Sequence, residues 1–168
     1  MTERVNRGLA GVFRSATCRG DGGPAWVYDR VVRVRSSTHI DCPPEKVFDT
    51  LADVRNDVRW NDRITSAELR SSGPIELGSQ FAIVNGGVAY EVTITTYERP
   101  SRLVLEARGK PDLTIGYTVA PADGGTDLHA DFDFRPAGVQ KAVFALAGPL
   151  VRREVPKQFA GLKAFCEN

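Results

Sequence analysis

Between residues 64 and 135 the chain reads as six successive stretches of alternating apolar and polar residues, and this repetition constrains the fold more than any other feature. The stretches run over 64–70, 79–84, 88–98, 102–108, 113–120 and 126–135. Turn formers separate them: Ser72-Gly73-Pro74, Asn85-Gly86-Gly87, Arg99-Pro100-Ser101, Lys110-Pro111-Asp112 and Asp123-Gly124-Gly125. Such residues supply the tight φ values of short turns. Strands joined by short connections pair antiparallel, because a parallel pair needs a crossover of a dozen residues or more. The pattern therefore predicts an antiparallel meander and excludes a doubly wound parallel sheet.

The segments on either side complete the architecture. Upstream, Val32 and Val34 alternate with Arg33 and Arg35 in a half-buried strand that runs to Ile40. Asp41-Cys42-Pro43-Pro44-Glu45 then reads as a helix start, with Asp41 as the expected cap and the prolines in the first turn. Val47, Phe48, Leu51 and Ala52 form that helix's apolar face, and residues 53–61 read as a second short helix or turn. Downstream, Val139, Val143, Leu146, Leu150, Val151, Val155, Phe159, Leu162 and Phe165 recur at three-to-four spacing, one apolar stripe on a long helix. Pro149 and Pro156 lie inside it and predict a kink or break at each.

Residues 1–28 stand apart. Arg4, Arg7, Arg14 and Arg19 outnumber Glu3 and Asp21, and Val5, Leu9, Val12 and Phe13 suggest a short amphipathic helix ahead of a glycine-rich loop. The expected organisation is an N-terminal extension, 1–28, and one domain, 29–168. The 168 residues carry a net charge of only +1, which gives no field to attract nucleic acid. No apolar run reaches the ~18 residues of a membrane helix, so no integral membrane segment is expected. No apolar core of the secretory kind opens the chain, which makes a cytoplasmic location the expectation. Cys18, Cys42 and Cys166 are far apart and form no C-x-x-C pair, so neither a disulfide framework nor a zinc site is expected.

Strand alternation sorts the side chains. Phe81, Ile83, Tyr90, Val92, Ile94, Leu105, Ala107, Ile115, Tyr117, Leu128, Ala130, Phe132 and Phe134 share one face, which the helix stripe must cover. Asp127, His129, Asp131 and Asp133 share the other, and His39 falls outward with Arg33 and Arg35. The inner face is apolar except for two tyrosine hydroxyls. It is compatible with a filled core, or with a ligand-sized cavity where a curved sheet meets one helix.

Several short motifs resemble a known superfamily. The run from Ser37 through His39, Pro43 and Phe48 to Asp53 is similar to its opening strand and helix. Val58-Arg59-Trp60-Asn61 resembles its tryptophan turn, Leu77-Gly78-Ser79-Gln80-Phe81 its glycine before the third strand, and Gly124-Gly125-Thr126-Asp127-Leu128 the turn into its last strand. With the order of elements, these resemble the polyketide cyclase/dehydrase family of the START-like helix-grip (SRPBCC) superfamily, which also holds lipid-transfer domains and birch-pollen-allergen-like proteins. The resemblance covers about residues 31–168. It implies an α+β helix-grip fold, a curved antiparallel sheet of about seven strands around a long C-terminal helix. It also implies a deep cavity for lipids, sterols, hormones or aromatic polyketides.

The residues expected at such a ligand are Trp60, Phe81, Tyr90, Val92, Leu105, Ile115, Tyr117, Phe132 and Leu150. Trp60 would either stack on a flat ligand or pin the second helix to the sheet. Tyr90 and Tyr117 would hydrogen-bond a carbonyl or stabilise an enolate, or else serve as core aromatics. The superfamily has no universal catalytic motif, so no catalytic residue follows, and neither metal nor cofactor is expected. The expected partner is a small hydrophobic molecule, carried in one reading and cyclised or dehydrated in the other. A third reading is a partner-binding subunit with a filled core. The sequence sets no oligomeric state.

Overall fold

A computed structural model describes residues 31–168. The expected extension, residues 1–28, and its boundary with the domain lie outside the described residues. In chain order the elements are β1 (Val32–Ile40), α1 (Pro44–Ala52), a 3-10 turn (Val54–Asn56), α2 (Asp57–Trp60), β2 (Ile64–Leu69), β3 (Gln80–Asn85), β4 (Val88–Glu98), β5 (Arg102–Arg108), β6 (Asp112–Ala122), β7 (Gly125–Arg135) and α3 (Gln140–Glu167). The seven strands form one antiparallel sheet in the order β1-β7-β6-β5-β4-β3-β2.

The meander follows the turn chemistry of the sequence. Gly86, Gly87 and Gly124 all take positive φ in the turns that close β3–β4 and β6–β7, a backbone region in which a side chain is strained. The inner face is the one that alternation predicts. Phe81, Val92, Ile94, Leu105, Ala107, Tyr117, Leu128, Ala130 and Phe132 are all buried. The outer face carries a ladder of opposite charges across β1 and β7. Arg33 donates twice to the Asp133 carboxylate, at 2.7 and 3.0 Å, Arg35 donates to Asp131 at 2.8 Å, and His39 Nδ1 lies 2.8 Å from Asp127. These pairs are exposed and add little stability, but they fit only one register.

α1 sinks Val47, Phe48 and Leu51 into the core, where Phe48 meets Tyr97 edge-on at 5.1 Å between centroids. Its start differs from expectation. Asp41 does not cap α1; the cap position is Pro43, with no side-chain bond. The Asp41 N–H instead donates to Glu167 Oε1 at 2.8 Å, because the far end of α3 passes over this corner. Lys46 Nζ donates to the Cys166 carbonyl at 2.6 Å and Lys163 Nζ to the His39 carbonyl at 2.9 Å, so the last turn of α3 is tied to β1 and α1.

α3 also corrects an expectation. It is one helix across Pro149 and Pro156, with no break at either. Its C-terminal half has its own anchors: Val155, Phe159, Leu162 and Cys166 are buried against the sheet and the short helices. Packing of this kind outweighs the loss of one backbone hydrogen bond at a proline. Among the described residues no helix is long and apolar enough to cross a membrane.

Candidate functional site

The space between sheet and α3 is partly empty. A cavity of about 360 Å³ lies under the helix, within the range of about 300–1,000 Å³ usual for small-molecule pockets. Its floor is the inner face of the sheet: Ile83 on β3, Val92 on β4, Leu105 and Ala107 on β5, Ile115 and Tyr117 on β6, and Phe132 on β7. α2 supplies Asp57 and Trp60, and α3 supplies Glu154, Val155, Gln158 and Phe159.

Seven of the nine residues singled out from the sequence border this cavity: Trp60, Tyr90, Val92, Leu105, Ile115, Tyr117 and Phe132. Phe81 does not. It is 1 % exposed and belongs to the closed part of the core, while Ile83, the next inward residue on β3, takes the cavity position. The cavity therefore ends between these two side chains. Leu150 lies on α3, but its side chain falls outside the described residues.

The aromatic walls are held by neighbours. Phe132 meets Tyr117 at 6.5 Å and Phe159 at 6.1 Å, both edge-on, and stacks on Phe134 at 6.4 Å. The Tyr90 ring lies directly over Gly109, where any side chain would collide with it. Trp60 borders the cavity, and its backbone carbonyl touches α3 at Gly161, the position where a Cβ would have no room. Close approach of α2 and α3 thus depends on a glycine. The indole Nε1–H of Trp60 is buried without an acceptor among the described residues.

The polar members of the wall were not singled out from the sequence. Asn61 is buried; its Oδ1 accepts from the Arg63 N–H at 3.2 Å and its Nδ2 donates to Gln158 Oε1 at 3.5 Å. Arg63 and Gly86 are exposed and mark the mouth, where the Arg63 guanidinium lies over Gly86. Glu154 is held below the usual carboxylate range by its hydrogen bond with Lys157 at 2.7 Å.

Asp57 differs from all of these. Burial holds its carboxyl well above the usual carboxylate range, and the nearby charge of Asp53 raises it further. It is half-buried and is one of the residues that line the cavity. Among the described residues no hydrogen-bond donor meets this carboxyl, whereas Asp53 is neutralised by Arg55 at 2.8 Å. Tyr117 on β6 is also pushed up, chiefly by burial and then by Asp57. Asp57 thus holds its proton more tightly than an ordinary carboxyl, and Tyr117 keeps its O–H as a donor over the neutral range. Tyr90 is raised as well, mainly by burial.

Asp57 has a measurable signature. A carboxyl raised in the folded state binds its proton more tightly there than in the unfolded chain, where it titrates near ~3.9. Stability from this group is complete below that value and is lost as pH rises through the folded-state value. The charged group that acts on it is Asp53, just before α2. Asp57→Asn is expected to equal the parent protein at pH 3. At pH 8 it should be more stable by about 1–3 kcal/mol, the range for relieving a badly placed buried polar group. Urea unfolding at the two pH values measures the difference; an equal effect at both would remove the proton from the explanation.

A long helix gripped by a curved antiparallel sheet, with a ligand-sized cavity between them, defines a helix-grip protein. The chain belongs to the polyketide cyclase / dehydrase and lipid transport family, whose model matches residues 31–167. No curated protein sequence matches it. Among solved structures it resembles a START superfamily protein from Mycobacterium smegmatis, with a TM-score of 0.64 at 15% identity over 80% of this chain and 97% of the other. It resembles a hypothetical protein from Helicobacter pylori with a TM-score of 0.65 at 15% identity, covering 82% of this chain and 88% of that one. It also resembles BexL, a di-domain ARO/CYC protein from the BE-7585A biosynthetic pathway, with a TM-score of 0.64 at 16% identity over 84% of this chain and 50% of that one. At these identities the likeness is one of fold.

Proposed function

We propose that residues 29–168 form a ligand-binding domain that takes up a small, mostly apolar molecule, lipid-like or polyketide-like, between the sheet and α3. The observation that carries this reading is the cavity itself, a ligand-sized space walled by Val92, Leu105, Ile115, Phe132 and Phe159 where a solid core would place side chains. Burial drives recognition, at roughly 25 cal/mol for each Å² of apolar surface removed from water. Native mass spectrometry of gently purified protein, with extraction and identification of anything bound, tests it. A co-purifying lipid or polyketide-like molecule is the expected result. A protein that stays at its apo mass when offered a panel of lipids and polycyclic aromatics would overturn the reading.

A second reading is a cyclase or dehydratase acting on an aromatic or poly-β-keto substrate. One observation favours it: the wall is not purely apolar, because Asp57 and Tyr117 both border it and both are held towards their protonated forms. Groups that hold protons within an enclosed site are what enolisation and dehydration need. Turnover of a poly-β-keto thioester, followed by mass change, would separate this reading from simple carriage.

A further inference from the structure

Asp57 and Trp60 are three residues apart on α2, so they share one helix face and both reach the cavity. Tyr117 borders the same cavity from β6. Neither the Asp57 carboxyl nor the Tyr117 hydroxyl has a hydrogen-bond partner among the described residues, and both residues line the cavity, where a ligand could meet them.

We propose that the cavity selects ligands carrying a neutral hydrogen-bond acceptor, a ketone or ester carbonyl, at their buried end, and that Asp57 and Tyr117 jointly donate to it. This rests on the cavity being a ligand site. The donors are complementary to a carbonyl oxygen, which has two lone pairs and needs no counter-charge. A carboxylate ligand would meet Asp57, with Asp53 behind it, and find no buried cation among the described residues, since Arg63 sits at the exposed mouth. An ammonium ligand would have to ionise Asp57 against both burial and Asp53. A purely apolar ligand would leave both hydroxyls unsatisfied, and a site built around hydrogen-bonding groups discriminates strongly against such an analogue.

Four naphthalenes of nearly equal shape test the idea: 2-acetylnaphthalene, 2-isopropenylnaphthalene, 2-naphthoate and 2-naphthylmethylammonium, each titrated by fluorescence at pH 7. The ketone is expected to bind about tenfold more tightly than the alkene, the equivalent of one well-made buried hydrogen bond, and more tightly than either ion. Asp57→Leu and Tyr117→Phe should each bring ketone and alkene close to parity. Asp57→Asn, which keeps an N–H donor, should retain part of the preference. Thermal unfolding of each variant checks that it is folded, and the comparison in the parent protein needs no variant at all. If ketone and alkene bind the parent equally, the donor assignment fails and the cavity reading stands. If the ammonium binds best, Asp57 acts as an anion and the proposal is wrong. If none of the four binds, the cavity reading fails with it.

Discussion

Gly161→Ala should destabilise the protein by about 2 kcal/mol or more, although the same change would stabilise an isolated helix. Alanine exceeds glycine by about 1 kcal/mol inside a helix. Here the added methyl would press on the carbonyl of Trp60, a backbone atom with no rotamer to change. Overpacking of this kind costs about 1–3 kcal/mol, and the upper end applies where a whole helix must shift. Relief requires α3 to lift from α2, which widens the cavity wall that Trp60, Asp57 and Phe159 line. Urea unfolding should show a lower midpoint with an unchanged slope, and naphthyl ligands should dissociate faster. A midpoint raised by the helix propensity of alanine would mean that the two helices do not touch at this point.

Ala107→Phe should cost about 100-fold in affinity for any ligand of the cavity, yet change stability by less than about 1 kcal/mol. Ala107 lies on β5 between Val92 and Leu113, with its methyl on the cavity floor. A larger side chain in a filled core forces off-rotamer neighbours and costs about 1–3 kcal/mol. In an empty space it gains apolar contact and displaces the ligand instead. A 100-fold loss corresponds to about 2.7 kcal/mol of binding. Titration with 2-acetylnaphthalene and thermal unfolding together give the answer. A strongly destabilised variant would show that the space is closed by motions of the side chains around it.

Most of the frame was legible from residue pattern. The inward set on β4–β7 follows from strict alternation: once Phe132 is inside, Asp131 and Asp133 are outside, and the pairing Val34↔Phe132 and Arg33↔Asp133 fits that assignment. Strand limits fall within two residues of the expected ones because glycine, proline and asparagine punctuate the turns. The polar wall was harder to read. Whether Asp57 faces inward depends on how residues 53–61 dock on the sheet, and four residues of helix carry too short a pattern to decide it. One signal was present: if Trp60 faces the cavity, the residue three before it faces the same way. Phe81 failed for a different reason. Alternation says which face a residue occupies, but not where along the strand a cavity ends. Continuity of α3 through two prolines likewise rests on tertiary packing, which local rules do not contain.

The neighbour relation of β1 and β7 has a kinetic side. Val32 pairs with Phe134 and Ile40 with Thr126, so one edge of the sheet is completed by residues about a hundred positions apart. Such long loops must be ordered before they are rewarded, and chains dominated by non-local pairing fold in about milliseconds to seconds. On the ribosome, β2 to β6 emerge before β7 and α3 exist to cover them, which leaves Tyr117, Leu105 and Val92 exposed to the cell. A molecule that fits the cavity would bind the finished domain and not these intermediates. It would therefore slow the return to the open chain more than it would speed closure. The lifetime of the folded protein, and hence its abundance, would then report the supply of its ligand.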